Sequence, residues 1–117
     1  MQINITGKGI ELTDAIKDYI EKKFDGLEKF YDRIIRANVT VGMETKHHLK
    51  GQVYICECRL EIPGKDVFAE KNEKTLYKAI DKVRDYLEGE VKKHKAKFFR
   101  SEQRDKNVRR ESKEYQM

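Results

Sequence analysis

Lys74, Lys78 and Lys82 recur at intervals of four, and Lys93, Lys97 and Arg100 resume the row further along the same segment. On a helix this spacing sets the cations along one side, where like charges repel and weaken the helix. Closely spaced phosphates reverse that penalty, because each neutralised phosphate releases counterions, and a rod of lysines reads charge and shape rather than base sequence. Tyr86 falls in the gap of the row, where its ring either stacks on an unpaired base or covers the helix edge. The bland reading of such a run is a solvated face that confers solubility. A second group, Lys22, Lys23, Lys29 and Arg33, is interleaved with Asp18, Glu21, Asp25 and Glu28. Taken alone, these read as exposed salt-bridge partners. If the two segments are helices packed side by side, some of the group lines the groove between them.

The chain has a formal net charge of +5, with 38% apolar and 40% charged residues. Residues 1–70 hold 11 Lys/Arg against 12 Asp/Glu, residues 71–100 hold 10 against 5, and residues 101–117 hold 5 against 4. The surplus therefore sits in one stretch, as expected when a single element supplies the footprint for a polyanion. No segment matches a phosphate-binding glycine loop, a nucleophile elbow or a zinc-protease helix, so neither catalysis, a cofactor nor a small-molecule substrate is expected. A metal site joining His47 and His48 to Cys56 and Cys58 would need distant positions on one extended strand to converge on an ion about 2 Å from each ligand, so no metal is expected either. Cys56 and Cys58 share a strand face about 7 Å apart, at or beyond disulfide reach. Buried free thiols, the lack of a signal-peptide pattern and the lack of a long apolar run give the expectation of a cytoplasmic chain without a membrane partner.

With 117 residues there is room for one domain with one modest core. Ile3 and Ile5 alternate within a first strand over 2–6. Leu12, Ile16, Ile20, Phe24, Leu27 and Tyr31 then form a helical stripe, with Thr13 as N-cap and Gly26 as a weak point or bend. A period of two returns at Ile35, Ala37, Val39, Val41 and Met43, and again at Tyr54, Cys56, Cys58, Leu60 and Ile62. Pro63 and Gly64 turn the chain into a last strand over 65–70, with Val67 and Ala69 inward. Asn72 or Thr75 can cap a final helix whose stripe is Leu76, Ile80, Val83, Leu87, Val91 and Phe98, with His94 filling the remaining turn. The pattern ends after Arg100, so residues 1–100 are read as the domain and 101–117 as a charged, disordered tail or the start of a linker.

The order β-α-β-β-β-α, with one apolar face on every element, predicts an α+β fold of two layers: a four-stranded sheet with both helices packed on one face. An RNA recognition motif would need aromatic side chains on the open sheet face, where this chain places Arg36, Asn38, Thr40, Glu57, Arg59 and Glu61. The double-stranded RNA-binding domain, ordered α-β-β-β-α, is the better analogy, and it reads shape and backbone.

The segments NITGKGIEL, LEKFYDRI, IPGKD, YKAID and KKHKAK, in this order over about residues 1–98, resemble the bacterial ribosome hibernation promoting factors and ribosome-associated inhibitors, the sigma-54 modulation protein family. The resemblance implies a fold akin to the double-stranded RNA-binding domain and binding to the small ribosomal subunit and its RNA, in the channel of messenger and transfer RNA. It further implies inhibition of translation by occupancy, with inactive ribosomes preserved in stationary phase or stress. Lys23, Lys29, Arg33, Lys93, His94, Lys95 and Lys97 match basic or polar positions of the family pattern. Where the family carries two central cations, this chain has Tyr86, Leu87, Glu88, Gly89, Glu90 and Val91, a loss for which Lys78, Lys82 and Lys92 are the available compensation. Long members add a dimerising domain after a linker. None falls within these 117 residues, so the expectation is a short form that silences single ribosomes or a long form cut short. Two other readings stay open: a free double-stranded RNA-binding module, and a protein-interaction domain that modulates transcription.

Overall fold

The computed structural model describes the backbone of residues 1–47 and 51–115 and the side chains of 1–44 and 53–97. Strand β1 (Gln2–Lys8) is followed by helix α1 (Asp14–Asp25), a 3-10 segment (Gly26–Lys29), strands β2 (Arg36–His47), β3 (Gly51–Ile62) and β4 (Lys65–Glu73), and helix α2 (Leu76–Tyr115). The sheet order is β1-β2-β3-β4. β1 runs parallel to β2, which its connection through α1 permits, and β2, β3 and β4 form an antiparallel meander. This is the expected two-layer α+β arrangement.

The period-two pattern decides which sheet face is covered. Ala37, Val39, Val41, Cys56, Cys58, Leu60, Ile62, Val67 and Ala69 are buried against Ile20, Phe24 and Leu27 from the first helical segment and Leu76, Ala79, Ile80, Val83, Leu87 and Val91 from α2. Both helices therefore lie on one face. Each fully buried side chain of the size of Phe24 or Leu87 contributes roughly 1.5–3 kcal/mol by leaving water. Burial pushes the Cys56 thiol up to about 12 and raises that of Cys58 as well, so both stay protonated and behave as small apolar groups.

Thr13 caps α1 by accepting from the amide of Ile16 at 3.2 Å, and Thr75 does the same for Lys78 at the start of α2. Asn72, the other candidate cap, belongs to β4 instead, because that strand pairs with β3 as far as Glu73. α1 stops at Gly26 and tightens into the 3-10 segment, so Leu27 and Tyr31 reach the core from beyond the α-helix proper. Ile35 departs from its expected inward place: it is 54% exposed just before β2, and Ile34 is buried in its stead. α2 does not end with the apolar stripe but continues past Arg100 to Tyr115. Phe98, expected in the core, lies outside the described side chains. So does the His47 imidazole, and His48 lies outside the described residues altogether.

Candidate nucleic-acid interface

α1 and α2 face each other across a groove closed at one end by polar contacts. The Tyr19 hydroxyl donates to Asp81 at 2.5 Å, the Tyr19 and Tyr77 rings meet edge to face at 4.7 Å, and the Lys23 ammonium lies 3.5 Å from Asp81. Desolvation, aided by the Asp81 carboxylate, pushes the Tyr19 phenol up to about 12, which keeps it a donor. Further along, Arg84 bonds Glu88 at 3.0 Å and lies 5.7 Å from the centre of the Phe30 ring. The Lys92 ammonium lies over the same ring at 4.5 Å. The groove then opens into a depression of about 380 Å³ lined by Lys29, Phe30, Lys92, Lys95 and Ala96.

The lysines of α2 lie on two sides of the helix, and the two that face α1, Lys92 and Lys95, stand outside the row read from the sequence. Lys92 and Lys95 meet Lys29 and Phe30 on the α1 side. Lys82 turns towards β4 and pairs with Glu73, which holds that carboxyl below its usual range. Beside it Tyr86 is 43% exposed, and the Lys71 ammonium sits 5.0 Å from its ring centre, so one side of the ring is covered by the protein itself. Lys93 pairs with Glu90 at 3.6 Å, while Lys74, Lys78 and Lys97 are exposed on the protein surface. Arg33 is exposed in the connection to β2. Lys22 is not brought to this groove; it lines a separate depression with Met1, Ile3, Glu21 and Asp25. Among the described residues Lys29, Lys95 and Lys97 make no ion pair. His94 is part-buried against the Tyr31 ring at 5.5 Å, and desolvation together with Lys65 and Lys97 lowers its pKa.

Sequence reasoning missed Phe30, Arg84 and Lys71. Phe30 lies outside the apolar stripe, next to its last member Tyr31 and just past the 3-10 segment, and Arg84 and Lys71 are among many cations of their segment. The two carboxylates that break the expected charge run act locally: Glu88 holds Arg84 and stands 3.8 Å from Lys92, and Glu90 holds Lys93.

The opposite, open sheet face has another character. Across the strands it carries Lys8, Arg36 and Arg59 against Glu44, Glu57, Glu61, Asp66 and Glu70, with Phe68 51% exposed beside Arg59. Glu57 and Glu70 stand directly opposite each other, a pairing that costs sheet stability. Phe68 is the one aromatic side chain among the described residues of this face, where an RNA recognition motif stacks bases on several. The cationic surface thus belongs to the helical layer.

Residues 3–98 match the family model described as "Sigma 54 modulation protein / S30EA ribosomal protein". The chain belongs to this family. A ribosome hibernation promoting factor of Azotobacter vinelandii is 36% identical over 103 residues, which span 88% of this chain and 91% of that protein. A ribosome hibernation promotion factor of Deinococcus radiodurans is 31% identical over 104 residues that make up 54% of its own length, so the family includes longer chains. Among solved structures, the Thermus thermophilus Protein Y N-terminal domain superposes with a TM-score of 0.70 at 34% identity, covering 80% of this chain and 99% of that domain. The S30EA fold and the two-layer arrangement described above are thus the same. No helix among the described residues is long and apolar enough to cross a membrane.

Proposed function

We propose that this chain is a ribosome-binding translation inhibitor and hibernation factor. It occupies the small-subunit channel of messenger and transfer RNA, with its helical layer turned towards ribosomal RNA. The observation that carries the reading is the convergence of Lys29, Lys92 and Lys95 at one end of the interhelical groove, on a molecule whose other face has more carboxylates than cations. Lys23 of α1 and Arg33 of the connection to β2 supply further contacts, and Lys74, Lys78, Lys82, Lys93 and Lys97 supply a second line of contacts along α2 and its start. Lys22 contributes least, since Glu21 and Asp25 stand beside it. The names borne by the relatives support the ribosomal target. Inhibition is steric: the bound domain excludes messenger and transfer RNA, and no bond is made or broken.

Co-sedimentation with ribosomes at low salt tests the proposal. The chain is expected in the 30S and 70S fractions and displaced by added messenger or transfer RNA. Its absence from those fractions overturns the reading. Effective competition by duplex RNA would mark a free RNA-binding module instead. Binding to RNA polymerase that survives nuclease treatment, without ribosome binding, would mark a modulator of transcription.

A further inference from the structure

We infer that the depression between the 3-10 segment and α2 is a seat for one unpaired nucleotide, with the Phe30 ring as its stacking platform and Lys29, Lys92 and Lys95 on the adjoining phosphates. The inference deepens the proposed RNA-binding function and rests on it, since it names the form of RNA that this part of the surface takes. Duplex RNA buries its bases in its own stack and presents no free ring to an aromatic side chain, whereas an unpaired base has two open faces.

Three observations converge on the site. The floor is apolar, made by the half-buried Phe30 and by Ala96, while the described polar groups of the rim are the three ammonium groups. That is the combination of aromatic face and phosphate-tracking charge by which single strands are held. The depression is shallow and widely open to solvent, so a base reaches it from outside. The cations are also held unequally. Arg84 is 21% exposed and fixed by Glu88 at 3.0 Å, so it stays against the ring. Lys92 is 54% exposed, with its only described carboxylate contact at 3.8 Å, and Lys29 and Lys95 have none among the described residues. An entering base takes the place of the Lys92 ammonium over Phe30, and that ammonium moves outwards to the nucleotide's phosphate. Arg84 acts as a positioning residue that holds the ring from within the groove. The family's lysine pattern predicts charge along the helix but not this ring, which directly follows the 3-10 segment that begins at Gly26.

The full chain can be titrated with a single-stranded adenine hexaribonucleotide and, separately, with a blunt RNA duplex of the same length, while ring and backbone resonances are followed by NMR. The single strand is expected to shift the Phe30 ring protons upfield and to perturb Lys29, Lys92 and Lys95, and the duplex to leave the ring unmoved. Phe30→Leu, which keeps an apolar side chain on the core, should weaken single-strand binding about 5- to 150-fold, the usual worth of one stacked base. Lys8→Gln, on the open sheet face, should leave it unchanged. Unaltered single-strand affinity in a folded Phe30→Leu variant, or a ring shift equally large with the duplex, overturns the nucleotide seat. Ribosome co-sedimentation separates the two levels: if wild type and Phe30→Leu bind ribosomes equally, the seat is wrong and the ribosomal function stands. If wild type does not bind ribosomes at all, the functional reading itself fails.

Discussion

Glu88 and Glu90 bring two carboxylates into the stretch 86–91 of α2, where the resemblance leads one to expect central cations, and each is bound to a cation of its own helix. They therefore weaken the field that α2 presents to RNA, and removing either charge should strengthen binding. Glu90→Gln frees Lys93 and is expected to tighten ribosome binding and steepen its salt dependence by about one phosphate contact, a slope change near 0.9 on a log–log plot. Unchanged salt dependence would mean that Lys93 does not meet phosphate. His94 supplies a second test at this scale. Burial, with Lys65 on β4 and Lys97 on α2 nearby, holds its pKa below the ordinary value, so the unfolded chain takes up the proton first as pH falls. The neutral ring's contribution to stability is complete above the unfolded pKa and is lost as pH drops through the folded one. Thermal melts from pH 7.5 to 5.0 should show wild type losing more stability than His94→Asn. The cations were readable from composition and spacing, but their neutralisation was not. Glu73 meets Lys82 through the placement of β4 beside α2, a tertiary contact with no local signature.

Element boundaries followed where chain chemistry was strong and failed where packing decided. Thr13 and the Pro63–Gly64 turn were legible because a cap and a tight turn are local devices; Gly64 takes a positive φ of 87° there. Ile35 carried the strand's alternation but lies exposed, because Ile34 fills the core at the entry to β2. Gly89 offers a clean test of α2. It is exposed, a Cβ at that position meets nothing within 4 Å, and the helical backbone favours alanine. Gly89→Ala should stabilise the protein by about 0.5–1 kcal/mol, seen as a rise in Tm of a few degrees. The opposite result would show that the centre of α2 is not helical in solution. Beyond Arg100 the sequence carries no apolar stripe, and helices without packing are marginal in water. We propose that the domain ends near residue 100. A chain stopped there is expected to keep the Tm of the full chain within about 2 °C, measured by circular dichroism.

At the scale of the molecule, the layers have divided the charge. Burying the apolar faces of both helices on one side of the sheet left the basic helical surface and the carboxylate-rich sheet surface facing opposite ways. Period two in the strands and the helical stripes fixed this layering, so the fold was readable as a whole. The division of the lysines into a groove set and a β4 set was not, because it depends on how α2 is rotated against α1. If the helical layer is the ribosomal face, reversing Lys29 and Lys95 together to glutamate should cost far more affinity than reversing Lys8 and Arg59 on the sheet. The most direct measurement is the salt dependence of ribosome binding by the wild type and these two double variants. The account predicts a steep fall of affinity with salt in the wild type, a shallower one with much weaker binding in Lys29→Glu/Lys95→Glu, and near wild-type behaviour in Lys8→Glu/Arg59→Glu. Ribosome binding indifferent to salt, or lost only in the sheet variant, would contradict it.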